Sequence, residues 1–233
     1  MSGPFSFAWQ WQQFELAKRE DGRQIYAKIQ SYQLMVALTV ALGLSLFAYD
    51  ALRIMSPWTY WGAAAVVPLI ALSYILADVR GVVLSGVLVK KETAHLAWIA
   101  VIGAAVNLGL NYMLIPRWHM IGAAWATALS YAAYLAIAFV VAQRIYHVHY
   151  EYLRNAVVLG LAAALYLVSI RFHFSLVGSV ALNTALMLVF VGAITALLDR
   201  EERANFWHIG QKIAQRVPGL SRSTQRGTAT EAR

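Results

Sequence analysis

LAWIAVIGAAVNLGLNYMLIPRWHMIGAAWATALSYAAYLAIAFVVA, residues 96–142, holds a single charged residue, Arg117. A soluble domain carries about 25% charged residues, so this stretch is not written for water. It is also too long for one membrane crossing, since a spanning helix needs about 20 residues at 1.5 Å each. Pro116, Arg117 and His119 interrupt it. The reading is two spanning helices, 96–115 and 121–142, joined by a short turn.

The same arithmetic places further spans at 32–49, 60–89, 152–170 and 175–198, six in all. The span at 60–89 is overlong, at roughly 45 Å if fully helical. It must tilt, kink or project, and Pro68 is its expected kink site because proline removes a backbone donor. The span at 152–170 is the weakest, with a strictly apolar part of only 156–170, and Arg154 has to snorkel. The expected fold class is all-α: a polytopic membrane helix bundle of six transmembrane helices, plus a short N-terminal helical remnant.

The whole chain agrees with this. Of its 233 residues 60% are hydrophobic and 13% charged, and the charges cluster between apolar runs. The net charge of +8 could suggest nucleic acid, but the basic residues sit at the ends of spans, where orientation and anionic lipid explain them better. No nucleic-acid partner is expected. There is no cysteine, which removes disulfides and thiolate metal sites. Residues 1–13 lack a basic start before an apolar core, so they do not read as a signal peptide.

Orientation follows from lysine and arginine. One set of loops and the tail carries 15 of them: Lys18, Arg19, Arg23, Lys28, Lys90, Lys91, Arg144, Arg154, Arg200, Arg203, Lys212, Arg216, Arg222, Arg226 and Arg233. The opposite loops carry three, Arg53, Arg117 and Arg171, and Arg80 lies inside a span. The positive-inside rule puts the first set in the cytoplasm. Three regions result: residues 1–31, read either as the last turns of an earlier span followed by an interfacial helix at 15–30 or as an N-terminal amphipathic anchor; residues 32–198, the six-helix bundle; and residues 199–233, a cytoplasmic basic tail. The tail has an amphipathic piece at 206–217 and is expected to be disordered from about 218.

Catalysis finds little support. The outer loops are short, and no carboxylate pair, nucleophile motif or phosphate loop appears. No cofactor and no metal site is expected. His147 and His149 form an H-x-H beside a membrane end, a pattern more often interfacial than metal-binding. Asp50 and Arg53, three apart, suggest a local pair of little energetic weight.

The polar residues inside spans are more informative. Asn107 and Asn111 share one helix face with Gly103 and read as interhelical glue or as the lining of a polar cavity. Gly122, Ala123, Ala124, Ala126, Thr127 and Ser130 form a small-residue packing surface. Asp78 and Arg80 are two apart and cannot face each other on a helix. Arg80 lies ten residues before Lys90, about 15 Å deep, where an unpaired arginine costs several kcal/mol. It reads as a functional cation suited to phosphate or pyrophosphate, as half of a structural ion pair with another helix, or as a headgroup-zone residue of a span that leaves the membrane early.

Against this background Asn107-Leu-Gly-Leu-Asn111-Tyr-Met-Leu-Ile-Pro116 followed by Gly122-Ala-Ala-Trp-Ala-Thr127 resembles a passage of the polysaccharide and oligosaccharide flippases, in the multidrug, oligosaccharidyl-lipid and polysaccharide exporter superfamily. Lys90-Lys91-Glu-Thr93, the long helix from Tyr60 through Pro68, and Pro4 with Trp9 are similar to the family's pattern as well. The likeness covers about residues 1–155. It implies the trailing six helices of a transporter built from two helix bundles in a V, with residues 1–14 ending an earlier helix and the missing bundle on a longer chain or a partner chain. The implied activity is translocation of a lipid-linked oligosaccharide or polysaccharide precursor across a bacterial inner membrane, in cell-surface polysaccharide or lipopolysaccharide biosynthesis. Arg80, Asp78, Asn107 and Asn111 would line the cavity; Gly103, Gly122, Ala123 and Thr127 would pack helices. A drug or cation antiporter of the same superfamily and a non-transporting membrane subunit are the alternatives.

Overall fold

The computed structural model describes residues 22–90, 92, 94–172 and 176–198. The expected remnant at 1–14, the start of the interfacial helix, Lys91 and Thr93, and the tail from 199 lie outside the described residues. The described chain is helical, with no strand. Five segments are long and apolar enough to cross a membrane, as a membrane-embedded protein requires.

Helix α1 spans Gly22–Met55, 34 residues without a break, so residues 22–30 of the expected interfacial helix run on into the first expected span. Inside it the Thr39 and Ser45 hydroxyls donate to Met35 O and Ala41 O at 2.7 Å each, which hides the polar atoms within the helix. The helix stops before Pro57, where Ser56 N and Ser56 Oγ both donate to Leu52 O.

The overlong span resolves into two pieces. A 3-10 helix, Trp58–Val66, precedes helix α2, Val67–Val89. Pro68 therefore sits in the first turn of α2, where its missing N–H costs nothing, and does not kink a continuous helix. At 23 residues α2 is about 35 Å long, close to a bilayer core.

Helix α3, Ala94–Ile145, covers both central spans. Its one non-helical residue is His119, at φ 47°, ψ −122°. Pro116 lies one turn earlier. The limbs on either side, 94–118 and 120–145, fold back on each other. A Cβ on Gly103 would sit 2.7 Å from Tyr134 Cδ1. On a straight helix those residues would be about 45 Å apart. Asn107 to Ser130 and Gly122 to the Leu114 backbone are further rungs of the same antiparallel hairpin. The expected turn at 116–120 is thus nearly all helix, and the reversal falls on one residue.

Helices α4, Tyr152–Arg171, and α5, Leu176–Leu197, follow. Arg154 does not stand alone at the start of α4: it donates to Glu151 Oε2 at 3.1 Å and lies 5.9 Å over the Tyr32 ring. The main core joins Val83, Leu84 and Val87 of α2 to Ile99, Ala138 and Ala142 from the two limbs of α3. Gly86 lets the Tyr146 ring approach; a Cβ there would be 2.8 Å from it. The chain divides into two compact units, Met1–Phe190 and Val191–Arg233. Among its described residues the second unit continues α5 to Leu197, with Thr195 Oγ1 donating to Gly192 O.

Candidate functional site

Asp78 and Arg80 diverge as their spacing requires. Asp78 is exposed and lines a narrow crevice between α1 and α2 with Gln30, Gln33 and Val79. Arg80 turns to the second limb of α3. Its guanidinium carbon lies 4.2 Å from the Tyr134 ring centroid and 5.8 Å from that of Tyr131. The two rings are three residues apart, on one face of their limb. Arg80 Nε is buried without a hydrogen-bond partner, and no described carboxylate pairs with this side chain.

The local sequence explains the placement. Gly103 offers no side chain, so the Tyr134 ring lies flush on the first limb. That fixes the ring under Arg80. A cation over an aromatic face gains about 0.5–2 kcal/mol, less than the several kcal/mol an unpaired arginine costs deep in an apolar layer. The group retains unused donors and a net charge, the requirements for holding a phosphate oxygen.

Asn107 and Asn111 belong to the hairpin seam. Asn107 Nδ2 donates to Ser130 Oγ at 3.1 Å, and Ser130 Oγ donates to Ala126 O at 2.6 Å. Asn111 Nδ2 donates to Asn107 O and to Asn107 Oδ1, each at 2.9 Å. Ser130 and Tyr131 are consecutive on the second limb, so the amide ladder and the Arg80–tyrosine stack use neighbouring positions of one helix that differ in direction by about 100°. Asn107 and Asn111 bond to each other and to Ser130, Arg80 stacks on Tyr131 and Tyr134, and Asp78 lines the α1–α2 crevice. Among the packing residues, Gly122 meets the Leu114 backbone, Ala123 is half-buried, and the Thr127 hydroxyl donates to Ala123 O at 2.9 Å within its own limb.

A second polar cluster has no counterpart in the sequence reading. Asp50 is 3% exposed. Asn183 Nδ2 donates to Asp50 Oδ2 at 3.1 Å and to Leu46 O at 2.8 Å, while Ser169 Oγ donates to Asn183 Oδ1 at 2.7 Å. Asp50 Oδ1 is buried without a partner. The expected Asp50–Arg53 pair is absent: Arg53 lies 5.7 Å over Tyr49 and 5.5 Å over Trp61. The reason is helical phase. Asp50 continues the inward stripe Leu38, Leu42, Leu46, whereas Arg53 follows exposed Tyr49 by one turn. The lone amide of Asn183 in an otherwise apolar span was the available signal. A third contact, Asn155 Nδ2 donating to Gln30 Oε1 at 3.0 Å, ties α4 to α1.

Comparison with known proteins gives no relative: no family model, no curated protein and no solved structure matches this chain.

Proposed function

We propose that this chain crosses a membrane six times and is part of a transporter that carries a lipid-linked oligosaccharide or polysaccharide precursor between leaflets. The observation that carries the reading is Arg80, an intramembrane cation stacked on Tyr131 and Tyr134 with no carboxylate partner among the described residues. Intramembrane charges of this kind accompany substrate pathways, and a lipid-linked glycan presents phosphate or pyrophosphate to such a group. The count of six comes from treating the folded-back limbs of α3 as two crossings. The lysine and arginine asymmetry then puts the 90–93 and 146–151 connections in the cytoplasm of a bacterial cell, with the protein in its inner membrane and its tail inside. The resemblance of the Asn107–Pro116 and Gly122–Thr127 motifs to flippases supports glycan cargo in cell-surface polysaccharide or lipopolysaccharide biosynthesis.

The test compares Arg80→Ala with Arg80→Lys in cells that depend on this protein for glycan export. Arg80→Ala abolishes export at unchanged protein level, and Arg80→Lys restores part of it because charge returns without the planar fork. Normal export by a well-expressed Arg80→Ala variant would remove the reading.

One observation favours a second reading, a drug or cation antiporter. Asp50 is a buried carboxylate with an unpartnered oxygen and no cationic partner among the described residues. Protection of cells from cationic dyes, lost in Asp50→Asn, would select that reading over glycan transport.

A further inference from the structure

The connection between α3 and α4 holds His147-Val148-His149. Here exposure alternates as along a strand: Tyr146 and Val148 are buried, His147 and His149 exposed. Two constraints impose the alternation. The Val148 side chain is 3% exposed and belongs to a cluster with Tyr26, Ala27 and Tyr146. The Gln143 amide then grips the Val148 backbone at both ends, with Nε2 donating to Val148 O at 2.9 Å and Val148 N donating to Gln143 Oε1 at 3.0 Å. With Val148 held inward, both imidazoles project to the same outer side.

Their rings lie 4.5 Å apart between centroids, at 89° to each other, and the two Nε2 atoms approach to 3.4 Å. A zinc ion binds imidazole nitrogen at about 2.0–2.1 Å in a tetrahedron, which separates two such nitrogens by about 3.3–3.4 Å. Cis ligands at a right angle, as in square-planar or octahedral sites, would stand about 2.9 Å apart at the same bond length. The observed 3.4 Å matches the tetrahedral separation; it also lets one imidazole N–H donate to the other ring's nitrogen, so binding an ion replaces that contact and turns the rings outward by a small rotation. We propose that His147 and His149 chelate a divalent zinc-class ion on this loop.

The site is a two-ligand chelate. Among the described residues no group of three or more metal-ligating side chains occurs, and Glu151, the nearest carboxylate in sequence, is engaged by Arg154 at 3.1 Å. Water fills the remaining positions, which gives an exchangeable ion and not a structural one. Bound there, the metal holds the 147–149 stretch in its extended form. The inference is independent of the transport reading, because it rests on a different set of atoms.

The experiment is calorimetric titration of the purified full chain in detergent with zinc chloride, with magnesium chloride as the oxygen-seeking control. Wild type takes up one zinc more per chain than the His147→Ala/His149→Ala double variant and no magnesium at this site. Gln143→Ala keeps both imidazoles but frees Val148, and it weakens the site by about tenfold, as loss of an outer-shell support does. Helical circular dichroism of the double variant stays at the wild-type level, since both side chains are exposed. Equal zinc stoichiometry and affinity in wild type and double variant overturns the proposal, as does the absence of zinc uptake by wild type.

Discussion

At the scale of single residues, two side chains sit in environments with measurable consequences. Tyr150 lies in the α3–α4 connection, half-buried against Tyr146 and Tyr152. Burial first, then the neighbouring Tyr152 and Tyr146, push its hydroxyl from the usual 10.0 up to about 12. The folded state thus holds this proton more tightly than the unfolded chain does. The associated stability is fully present below about pH 10 and drains away as pH rises toward 12. Tyr150→Phe should flatten that loss in a denaturation series across the interval, and tyrosinate absorbance should show one fewer late-titrating group. His119 is the other case. Its positive φ with negative ψ belongs to glycine, and a side chain there carries about 1–3 kcal/mol of strain. His119→Gly relieves it but adds about 0.5–1 kcal/mol of unfolded-chain entropy. The expected net is a gain of about 1 kcal/mol, read as a higher unfolding midpoint; a lower one would mean that the imidazole makes contacts outweighing the strain.

At the scale of helices, contacts across sequence decide the outcome. Asn183 links α5 to α1 and α4 through three hydrogen bonds, so Asn183→Leu removes the amide that donates to Asp50. Leaving one buried acceptor unmet costs about 1–3 kcal/mol, and more for a charged one. The variant should unfold at visibly lower temperature, and adding Asp50→Leu should recover part of the loss, because replacing both partners leaves no orphan. This network also marks the boundary of what the sequence makes legible. Helix existence was readable, because apolar runs of spanning length leave the backbone no other way to satisfy itself in lipid. The reversal near Pro116 was readable from a run too long for one crossing. The compression of that turn onto His119 was not, because it depends on Gly122 meeting the Leu114 backbone, a contact between limbs. The phase of Asp50 was readable, since it repeats Leu42 and Leu46, yet the nearby Arg53 suggested a pair that the helix geometry does not form. Arg80 was legible as a charge out of place; its tyrosine partners lie some fifty positions on, where no periodicity connects them.

At the scale of the whole molecule, charge asymmetry and the α3 hairpin make one joint claim. If both limbs of α3 cross the bilayer, residues near 57 and 118 share one side with the 172–175 connection, and residues near 92 and 148 share the other. If α3 stayed one crossing element, 92 and 148 would fall on opposite sides. The chain contains no cysteine, so single cysteines can be placed without removing any. Thr59→Cys, Trp118→Cys, Glu92→Cys and Glu151→Cys, introduced singly, should separate into two pairs by reactivity toward a membrane-impermeant maleimide on intact cells. The first two, in exposed outer segments, react; the last two react only after lysis. In the proposed orientation the positive charge near the second pair, Lys90 on one connection and Arg144 and Arg154 flanking the other, lies on the cytoplasmic face, so that pair is the one expected to be hidden. Labelling of Glu92→Cys and Glu151→Cys from opposite sides would break the hairpin as a double crossing, and with it the count of six. Labelling of both from outside would keep the hairpin and reverse the orientation.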